Sequence, residues 1–241
     1  MNAGQGSKTV VVTGGTQGLG RALSLEFAAS GYRVLALYHR DVNSAARLDK
    51  EFAAAQLAGR TIRHDVAISD ADVWSQPEIA GAESLVLIHN ASAAFEPRPL
   101  HLLKWEEFQE NMEVSVKGSW LCTLGMLRTM LKRGGGTIVS VLTSALMSEP
   151  PPKGFAAYLA AKAALRALGS SVAAEYGARG IRVFSVSPGF METALTERWH
   201  PAFRDAARQS SAPTDPTQVA ERVRQLVEDP TIPASAENYE M

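Results

Sequence analysis

Short apolar runs rich in β-branched residues alternate along this chain with longer stretches rich in Ala and Leu. Such alternation is typical of repeated strand–helix units in which each strand is covered on both faces. Strands buried in this way are apolar at almost every position rather than at every second one. The pattern predicts strands at Lys8–Thr13, Arg33–Tyr38, Thr61–Asp65, Ser84–His89, Thr137–Leu142 and Ile181–Val186.

The stretches between the apolar runs are long enough for helices, and glycines follow several of them, where helices end readily. The chain contains no stretch that resembles an interdomain linker. We therefore expect one domain over residues 1–241, of the α/β class, with a doubly wound parallel sheet and helices on both of its faces. The predicted helices are Gly18–Ser30, Val42–Leu57, Ala71–Ile79, Trp105–Lys132, Gly154–Ala178 and Thr217–Glu228.

Composition excludes several classes of function. The 241 residues carry a formal net charge of −1 and are 46% hydrophobic, which argues against a disordered chain and a polycationic nucleic-acid-binding protein. No apolar run reaches the roughly 20 residues that span a bilayer, and residues 1–8 lack the apolar segment of a signal peptide. The single cysteine, Cys122, is interpreted as a small buried apolar side chain. We expect a cytoplasmic protein that binds neither membrane nor nucleic acid.

A glycine-rich turn follows the first predicted strand and opens the first predicted helix. A helix N-terminus presents unpaired N–H groups and a partial positive charge, and glycines let a pyrophosphate approach the backbone closely. Taken alone, such a turn is also consistent with a purely structural connection. Its sequence, Thr13-Gly14-Gly15-Thr16-Gln17-Gly18-Leu19-Gly20, differs in spacing from the common G-x-G-x-x-G fingerprint.

The turn resembles the TGxxxGxG motif of the short-chain dehydrogenase/reductase family, and further motifs follow in the family's order. They are Asp65-Val66 beside the adenine ring, Asn90-Ala91-Ser92 in place of NAG, Tyr158 and Lys162 as Y-x-x-x-K, and Pro188-Gly189 with Thr193 as PG-x-x-x-T. The resemblance implies a Rossmann-type fold, a nicotinamide cofactor and an oxidoreductase that interconverts CH–OH and C=O groups. By the same resemblance the cofactor contacts Thr13, Gly14, Gln17, Gly18, Leu19, Gly20, Asp65, Val66, Asn90, Ala91, Lys162, Pro188, Gly189, Met191 and Thr193.

The end of the second predicted strand bears on the choice of cofactor. An acidic residue at this point accepts hydrogen bonds from the adenosine ribose and repels a 2′-phosphate, whereas arginine accommodates that phosphate. Here Tyr38 stands at the acidic position, and His39 and Arg40 follow it. This favours NADPH over NADH. The alternative is that Arg40 and Asp41 simply begin a solvated helix.

Reduction of a ketone requires a proton at its oxygen and stabilisation of the charge that develops there. Tyr158 and Lys162 are four residues apart on a predicted helix, so they share one face. The ammonium would favour the phenolate and lower the pKa of Tyr158. A Tyr-x-x-x-Lys pair is by itself usually a surface pair, and the preceding motifs favour the catalytic interpretation. By resemblance, Lys162 also binds the nicotinamide ribose.

The resemblance implies a hydroxyl after the fifth strand that hydrogen-bonds the substrate carbonyl. Alignment from the strand favours Thr143, whereas counting back from Tyr158 favours Ser144. Because loops absorb changes in length, we take Ser144 as the catalytic hydroxyl and keep Thr143 as the alternative.

The chain departs from the family's pattern on one helix and at its C-terminus. Ser115 stands where the family has an asparagine that helps to connect the lysine to solvent, and Asn111 lies one turn earlier. Ser115 is therefore the candidate at that position, and slow turnover is expected. The family's C-terminal Gly-Gly is absent, which predicts a shortened or altered seventh strand.

Residues 190–212 are predicted to form a lid over the substrate, with Trp199, His200 and Phe203 either in the core or in the pocket. The histidines offer no metal-ligand spacing, so no metal site is predicted. By resemblance, the two long helices pair subunits, and we expect a homodimer or homotetramer.

The leading hypothesis is an NADPH-dependent reductase of a 3-oxoacyl thioester or related ketone in fatty-acid, polyketide or secondary metabolism. The substrate is a small molecule, either free or bound to a carrier protein. Tyr158 is the proton donor. Two alternatives stay open. The same site could support dehydration or isomerisation without net redox change, or the protein could bind the cofactor with weak or no catalysis.

Overall fold

Parallel strands form a single sheet in the computed structural model of the protein, which describes residues 7–69, 71–197, 199–210, 213–232 and 237–241. Its order is β3-β2-β1-β4-β5-β6-β7, and every neighbouring pair is parallel. The strands are β1 (Lys8–Thr13), β2 (Arg33–Tyr38), β3 (Gly59–Arg63), β4 (Ser84–His89), β5 (Gly136–Val141), β6 (Ile181–Ser187) and β7 (Glu237–Glu240). Because the order reverses between β1 and β4, a crevice opens at their carboxyl ends.

Helices cover both faces of the sheet, so the predicted fold class is confirmed. They are α1 (Gly18–Ala29), α2 (Val42–Ala54), α3 (Pro77–Ala80), α4 (Trp105–Met112), α5 (Gly118–Lys132), α6 (Ala156–Tyr176), α7 (Ala194–Glu197), α8 (Pro201–Ser210) and α9 (Pro216–Glu228). A π-helical turn, Glu113–Lys117, joins α4 to α5. Successive strand side chains alternate between the faces: Val10 packs with the cluster that includes α1 and α9, and Val11 with the cluster that includes α5.

The predicted helix Ala71–Ile79 was wrong. In its place the chain forms a short 3₁₀ turn, Val73–Ser75, and the four-residue helix α3. A residue before proline is pushed out of the helical region, and Gln76, which precedes Pro77, has extended backbone with ψ of 139°. The third strand also begins two residues earlier than predicted, because the ladder with β2 starts where Gly59 pairs with Val34.

The C-terminal strand is short, as the sequence predicted. β7 has four residues and pairs with the end of β6. Asn238 fixes this pairing, since the Ser185 and Ser187 hydroxyls both donate to its Oδ1, at 3.2 and 2.9 Å. Cys122 is fully buried, and burial raises the pKa of its thiol to about 12, which leaves it unreactive. In the part of the chain that is described, no helix has the length and apolar character needed to cross a membrane.

Candidate active site at the carboxyl ends of the strands

A cleft of about 840 Å³ opens where the sheet order reverses. Most of the residues predicted to hold a cofactor line it: Gly14, Gln17, Gly18, Leu19, Gly20, His39, Arg40, Asp65, Val66, Asn90, Ala91, Lys162, Met191 and Thr193. The remaining three, Thr13, Pro188 and Gly189, lie outside the lining. Tyr158 lines the cleft, whereas Ser144 and Ser115 do not. Residues from distant parts of the sequence therefore meet at one site.

The glycine turn is shaped for a close approach of a ligand to the backbone. Gly14 and Gly18 have positive φ values of 61° and 47°, which other residues rarely adopt. A Cβ on Gly20 would overlap the Gly14 carbonyl oxygen. Gln17 precedes α1 without a side-chain cap, so the first amides of that helix have no such partner. Unpaired amides beside a backbone without Cβ atoms fit the pyrophosphate of a dinucleotide.

Thr13 and Asn90 join the ends of β1 and β4 below this turn. The Thr13 hydroxyl donates to the Ile88 carbonyl at 3.2 Å and accepts from the Asn90 and Ala91 amides, both at 3.0 Å. The Asn90 side chain in turn donates to the Thr13 and Gly14 carbonyls, each at 3.0 Å. These bonds occupy the Thr13 hydroxyl. Its contribution to the site is thus to fix the two strand ends.

The far end of the cleft combines two basic side chains with two carboxylates. His39 lies 3.4 Å from an Asp65 oxygen. Asp41, which sequence reasoning missed as a site residue, caps α2 by accepting from the Ser44 amide and hydroxyl at 2.9 and 2.7 Å, and these bonds lower its pKa. It also accepts a hydrogen bond from Gln17. The exposed Arg40 side chain forms no hydrogen bond or ion pair with any described residue. Arg40 is therefore the cation available to a ligand here.

Lys162 lies under the cleft beside Tyr158. It is only 2% exposed, and its Nζ donates to the Val141 carbonyl at 2.7 Å and lies 5.6 Å from the Tyr158 ring centroid. Burial lowers the pKa of Lys162 to about 8. Burial also raises the pKa of Tyr158 to about 12, although a hydrogen bond from Thr143 opposes this rise. Tyr158 is therefore a phenol at neutral pH and has a proton to donate.

The hydroxyl next to Tyr158 belongs to Thr143, the alternative favoured by alignment from the strand, and not to Ser144. The Thr143 side chain lies close enough to the phenol to lower the pKa of Tyr158. Ser144 instead opens a short 3₁₀ turn, and its amide donates to the Pro188 carbonyl at 2.9 Å. The position of Thr143 follows from the strand register, in which Val141 pairs with Val186. Counting back from Tyr158 crosses a loop whose length is free to vary, so it was the weaker guide.

Three buried polar side chains lie on the face of the sheet that α4 and α5 cover. Each has one atom without a hydrogen-bond partner among the described residues. They are Oγ of Ser115 in the π-helical turn, Oδ1 of Asn111 and Nδ1 of His89. The other His89 nitrogen pairs with the Thr123 hydroxyl at 3.0 Å. Burial, with the Lys162 ammonium nearby, lowers the pKa of His89 to about 3, so the imidazole is neutral. In the described ranges, no three His, Cys, Asp or Glu side chains cluster as metal ligands.

Two aromatic rings, Phe95 and Phe155, contact the ring of Tyr158. Phe95 stacks on Tyr158 with centroids 4.5 Å apart and planes 14° apart. Trp199 lies 5.2 Å from both Phe95 and Phe155 and 6.0 Å from Phe190. Sequence reasoning singled out Trp199 but missed Phe95 and Phe155. The available signal was position, since Phe95 follows the Asn90 motif and Phe155 precedes Tyr158 by three residues.

The predicted lid, residues 190–212, contains α7 and α8, while positions 198, 211 and 212 lie outside the described residues. Trp199 is 5% exposed and belongs to the aromatic cluster. His200 is exposed, and its Nδ1 accepts from the Ala202 amide at 3.3 Å. Phe203 is half-buried. Only one of the three predicted lid side chains therefore contacts the rings around Tyr158.

Comparison with known proteins connects this geometry to a family. The model described as short chain dehydrogenase matches residues 8–202. A 3-oxoacyl-[acyl-carrier-protein] reductase from Synechocystis sp. is 30% identical over 232 residues, which cover 93% of this chain and 90% of that protein.

Solved structures share the fold. A short-chain dehydrogenase from Streptomyces avermitilis matches with a TM-score of 0.82 at 27% identity, covering 99% of this chain and 89% of that one. A 3-ketoacyl-(acyl-carrier-protein) reductase from Brucella melitensis complexed with NADH matches with a TM-score of 0.83 at 23% identity, covering 97% and 96%. The protein thus belongs to the short-chain dehydrogenase family, whose members bind a nicotinamide cofactor, and it is an oxidoreductase that acts on alcohol or ketone groups.

Proposed function

We propose that the protein reduces the carbonyl group of a 3-oxoacyl thioester or related ketone to a hydroxyl, with NADPH as the cofactor. The observation that carries this proposal is a phenol kept protonated by burial, with Thr143 and Lys162 beside it, in the cleft that also contains the glycine turn. One end of the cleft suits a dinucleotide pyrophosphate, and the other end holds a proton donor. This is the arrangement that carbonyl reduction needs.

When bound, NADPH would supply the hydride that the carbonyl carbon accepts. Tyr158 donates its proton to the carbonyl oxygen, so that the product is a neutral alcohol and the phenol becomes phenolate. The Thr143 hydroxyl orients the same oxygen through a hydrogen bond. Lys162, held by the Val141 carbonyl, stabilises the phenolate until a proton from water restores Tyr158.

The cofactor would lie along the cleft, with its pyrophosphate at Gly14, Gly18 and Gly20 and its adenine beside Asp65 and Val66. Asn90, Ala91, Met191 and Thr193 would line the path towards the nicotinamide. The preference for NADPH is supported by Arg40, whose guanidinium has no partner in the described part of the chain, while Asp41 is engaged in capping α2. A 2′-phosphate would give Arg40 a charge-assisted partner.

A relative of about the same length as this chain supports the substrate class. The Synechocystis relative is a 3-oxoacyl-[acyl-carrier-protein] reductase, and the chain covers 90% of it. For this protein we propose a ketone of that kind, free or attached to a carrier protein. The specific acyl group would be set by residues around Tyr158 rather than by the cofactor cradle.

Absorbance of NADPH in the presence of a panel of ketones and 3-oxoacyl thioesters tests the proposal. We expect Tyr158→Phe to lower turnover by about 10³-fold, because it removes the proton donor, while leaving NADPH affinity within about threefold. Equal rates for the two proteins would exclude Tyr158 as the donor. Tight NADPH binding with no oxidation by any ketone would instead favour dehydration, isomerisation or a non-catalytic role.

The cofactor preference has its own test. We expect Arg40→Ala to weaken NADPH binding by about tenfold and NADH binding by no more than about twofold, because only NADPH carries the phosphate. Fluorescence titration of both cofactors measures this ratio, and Arg47→Ala serves as the control, since Arg47 is already bonded to Ser44. Equal losses for the two cofactors would remove Arg40 from phosphate recognition.

The assembly is proposed to be a homodimer or homotetramer that pairs α4, α5 and α6. A groove of about 370 Å³ on these helices is lined by Met112, Glu113, Val116, Lys117, Trp120 and Leu168. Trp120 and Leu124 are 48% and 49% exposed on the same helix, which is unusual for large apolar side chains. Sedimentation equilibrium of the full chain measures the mass directly.

A further inference from the structure

One segment of the predicted lid borders the cleft along its length, and we call residues 190–197 the strap. The strap follows β6 and includes α7. Three of its side chains, Met191, Thr193 and Leu195, line the cleft. At its start, the Phe190 carbonyl accepts a hydrogen bond from the Thr214 amide at 2.7 Å. The strap is therefore one wall of the space in which we propose that the cofactor binds.

The middle of the strap rests on the glycine turn. A Cβ on Gly18 would lie 3.1 Å from Cγ2 of Thr193, so the Thr193 methyl group occupies the space beside this glycine. The buried Thr196 hydroxyl stiffens the strap, because it accepts from the Thr193 amide and donates to the Met191 carbonyl, both at 3.1 Å. The strap thus reaches the glycine turn as a braced unit, through a van der Waals contact.

Trp199, two residues beyond the strap, fastens its other end. The indole N–H donates to the Phe95 carbonyl at 2.9 Å. Phe95 directly follows Ala93 and Ala94, which line the cleft in the loop after β4. Trp199 is only 5% exposed, and its ring lies 5.2 Å from the rings of Phe95 and Phe155. A buried hydrogen bond and two ring contacts make this attachment firmer than the contact at the glycine turn.

The two attachments tie the flanks of the cleft together. The glycine turn follows β1 and the Phe95 loop follows β4, and these strands are neighbours at the point where the sheet order reverses. A strap that is fixed at Trp199 holds Thr193 and Met191 in place before a ligand arrives. Side chains positioned in advance lose less conformational entropy on binding, so they retain a ligand more strongly.

From these contacts we propose that Trp199 is a positioning residue for the cofactor, which it retains by holding the strap against the glycine turn. Trp199 itself lies outside the lining of the cleft, so it acts through the strap. The inference rests on the proposed function, since it requires that the cleft binds NADPH. Without the indole N–H the strap would move away from the turn, and the cofactor would leave faster.

Stopped-flow displacement of NADPH by excess NADP⁺, followed by nicotinamide fluorescence, tests the proposal. We expect the dissociation rate constant to rise by about fivefold in Trp199→Phe, which loses the N–H and keeps a ring, and by about twentyfold in Trp199→Ala, which loses both. The association rate constant should stay within about twofold of the wild type, because a loosened strap does not block the cleft. Trp105→Phe is the matched control, since Trp105 is 66% exposed on α4 and lies outside the lining.

A second background separates positioning from a general loss of stability. In Thr193→Ala the strap no longer fills the space beside Gly18, so adding Trp199→Phe should raise the dissociation rate constant by no more than about twofold. Hydrogen exchange gives a readout without cofactor, because the strap amides should exchange faster in Trp199→Phe than in the wild type. If Trp199 only stabilised the fold, its substitution would lower the midpoint of thermal unfolding and leave the dissociation rate constant unchanged.

The possible failures are distinguishable. Equal dissociation rate constants in the wild type and Trp199→Phe, or the same effect of Trp199→Phe in both Thr193 backgrounds, overturn the role of Trp199 and leave the reductase in place. A wild type that binds neither NADPH nor NADH overturns the proposed function. In that case hydrogen exchange still decides the anchor, since equal exchange of the strap in the wild type and Trp199→Phe contradicts it. Trp199→Phe carries the test if Trp199→Ala does not fold.

Discussion

The two sides of the cleft are built by different means. On the cofactor side, the shape comes from the backbone: two glycines with positive φ, a third that leaves no room for a Cβ, and the uncapped start of α1. On the Tyr158 side, large aromatic side chains from four separate segments pack behind the residues that line the cleft. A site made by backbone requires particular residues at fixed spacing, whereas a site made by side chains can be filled in many ways.

The largest effect is expected from a single methyl group on the cofactor side. In Gly20→Ala the new Cβ would overlap the Gly14 carbonyl oxygen and lie 2.6 Å from the Asn90 amide nitrogen, which itself bonds Thr13 and Gly14. We expect NADPH binding to be lost and the free energy of unfolding to fall by about 3 kcal/mol. Fluorescence titration and denaturant unfolding measure the two effects.

Gly169→Ala is the matched control, because Gly169 is also in a helix but its nearest neighbour would be Val183 at an ordinary 3.6 Å. This change should raise the free energy of unfolding by about 0.5–1 kcal/mol, since alanine favours the helix. If Gly20→Ala bound NADPH within about threefold of the wild type, the cradle would be adaptable rather than fixed by its backbone.

This difference also explains what could be predicted from the sequence. The turn from Thr13 to Gly20 and the pair Tyr158 and Lys162 have spacings imposed by helix and turn geometry, so their meeting at one cleft was foreseeable. The alternation of apolar runs predicted a parallel sheet between two layers of helices, because strands and helices have different hydrophobic periods. Asp41 was missed as a site residue because its contact with Gln17 joins the start of α2 to the glycine turn, and no spacing along the sequence relates those two segments.

The errors arose where spacing is not constrained. Ser144 was preferred to Thr143 by counting across a loop whose length is free, whereas the register of β5 with β6 fixes Thr143. Position beside two motifs was a signal for Phe95 and Phe155, but their contacts with each other and with Trp199 were not predictable, because no period relates these distant segments. Side-chain convergence of this kind is a property of tertiary packing.

Lys162 lies between the two sides of the cleft. Its buried ammonium serves the proposed reaction but lowers the free energy of unfolding. Its pKa in the folded protein is about 8, against 10.5 as the ordinary value. Below that folded pKa the buried ammonium costs about 3 kcal/mol, and the hydrogen bond to Val141 returns about 1 kcal/mol. We therefore expect Lys162→Met to abolish reduction while raising the free energy of unfolding by about 2 kcal/mol near pH 7.

The lowered pKa of Lys162 makes the stability of the wild type depend on pH. Between the folded pKa of about 8 and the ordinary value of 10.5, the unfolded chain binds the proton and the folded protein does not, so wild-type stability rises with pH. The advantage of Lys162→Met should accordingly disappear by about pH 10, as measured by urea unfolding at several pH values. Lys153→Met, at an exposed position, should show neither the gain nor its loss. A less stable Lys162→Met at neutral pH would mean that burial of the ammonium is not a cost.

The smallest effect is expected from substitution of Ser115, which belongs neither to the glycine turn nor to the aromatic rings. Ser115 is fully buried in the π-helical turn that packs against α6, and its hydroxyl lacks a partner among the described residues. Ser115→Asn adds an amide able to pair with the free Asn111 oxygen, but it also adds volume to a closed site. We expect turnover to rise by at most about fivefold and the free energy of unfolding to fall by about 1 kcal/mol.

Ser115→Ala separates these two contributions. Because the hydroxyl has no partner in the described structure, its removal should leave the free energy of unfolding within about 0.5 kcal/mol of the wild type. The pH dependence of kcat for both variants tests the relay, since an amide that improves proton supply to Lys162 raises kcat most where proton transfer limits it. If kcat is equal in all three proteins at every pH, the side chain at position 115 takes no part in proton supply. The departure from the family's asparagine would then be a neutral change in packing, and the slow turnover expected from it would have no basis.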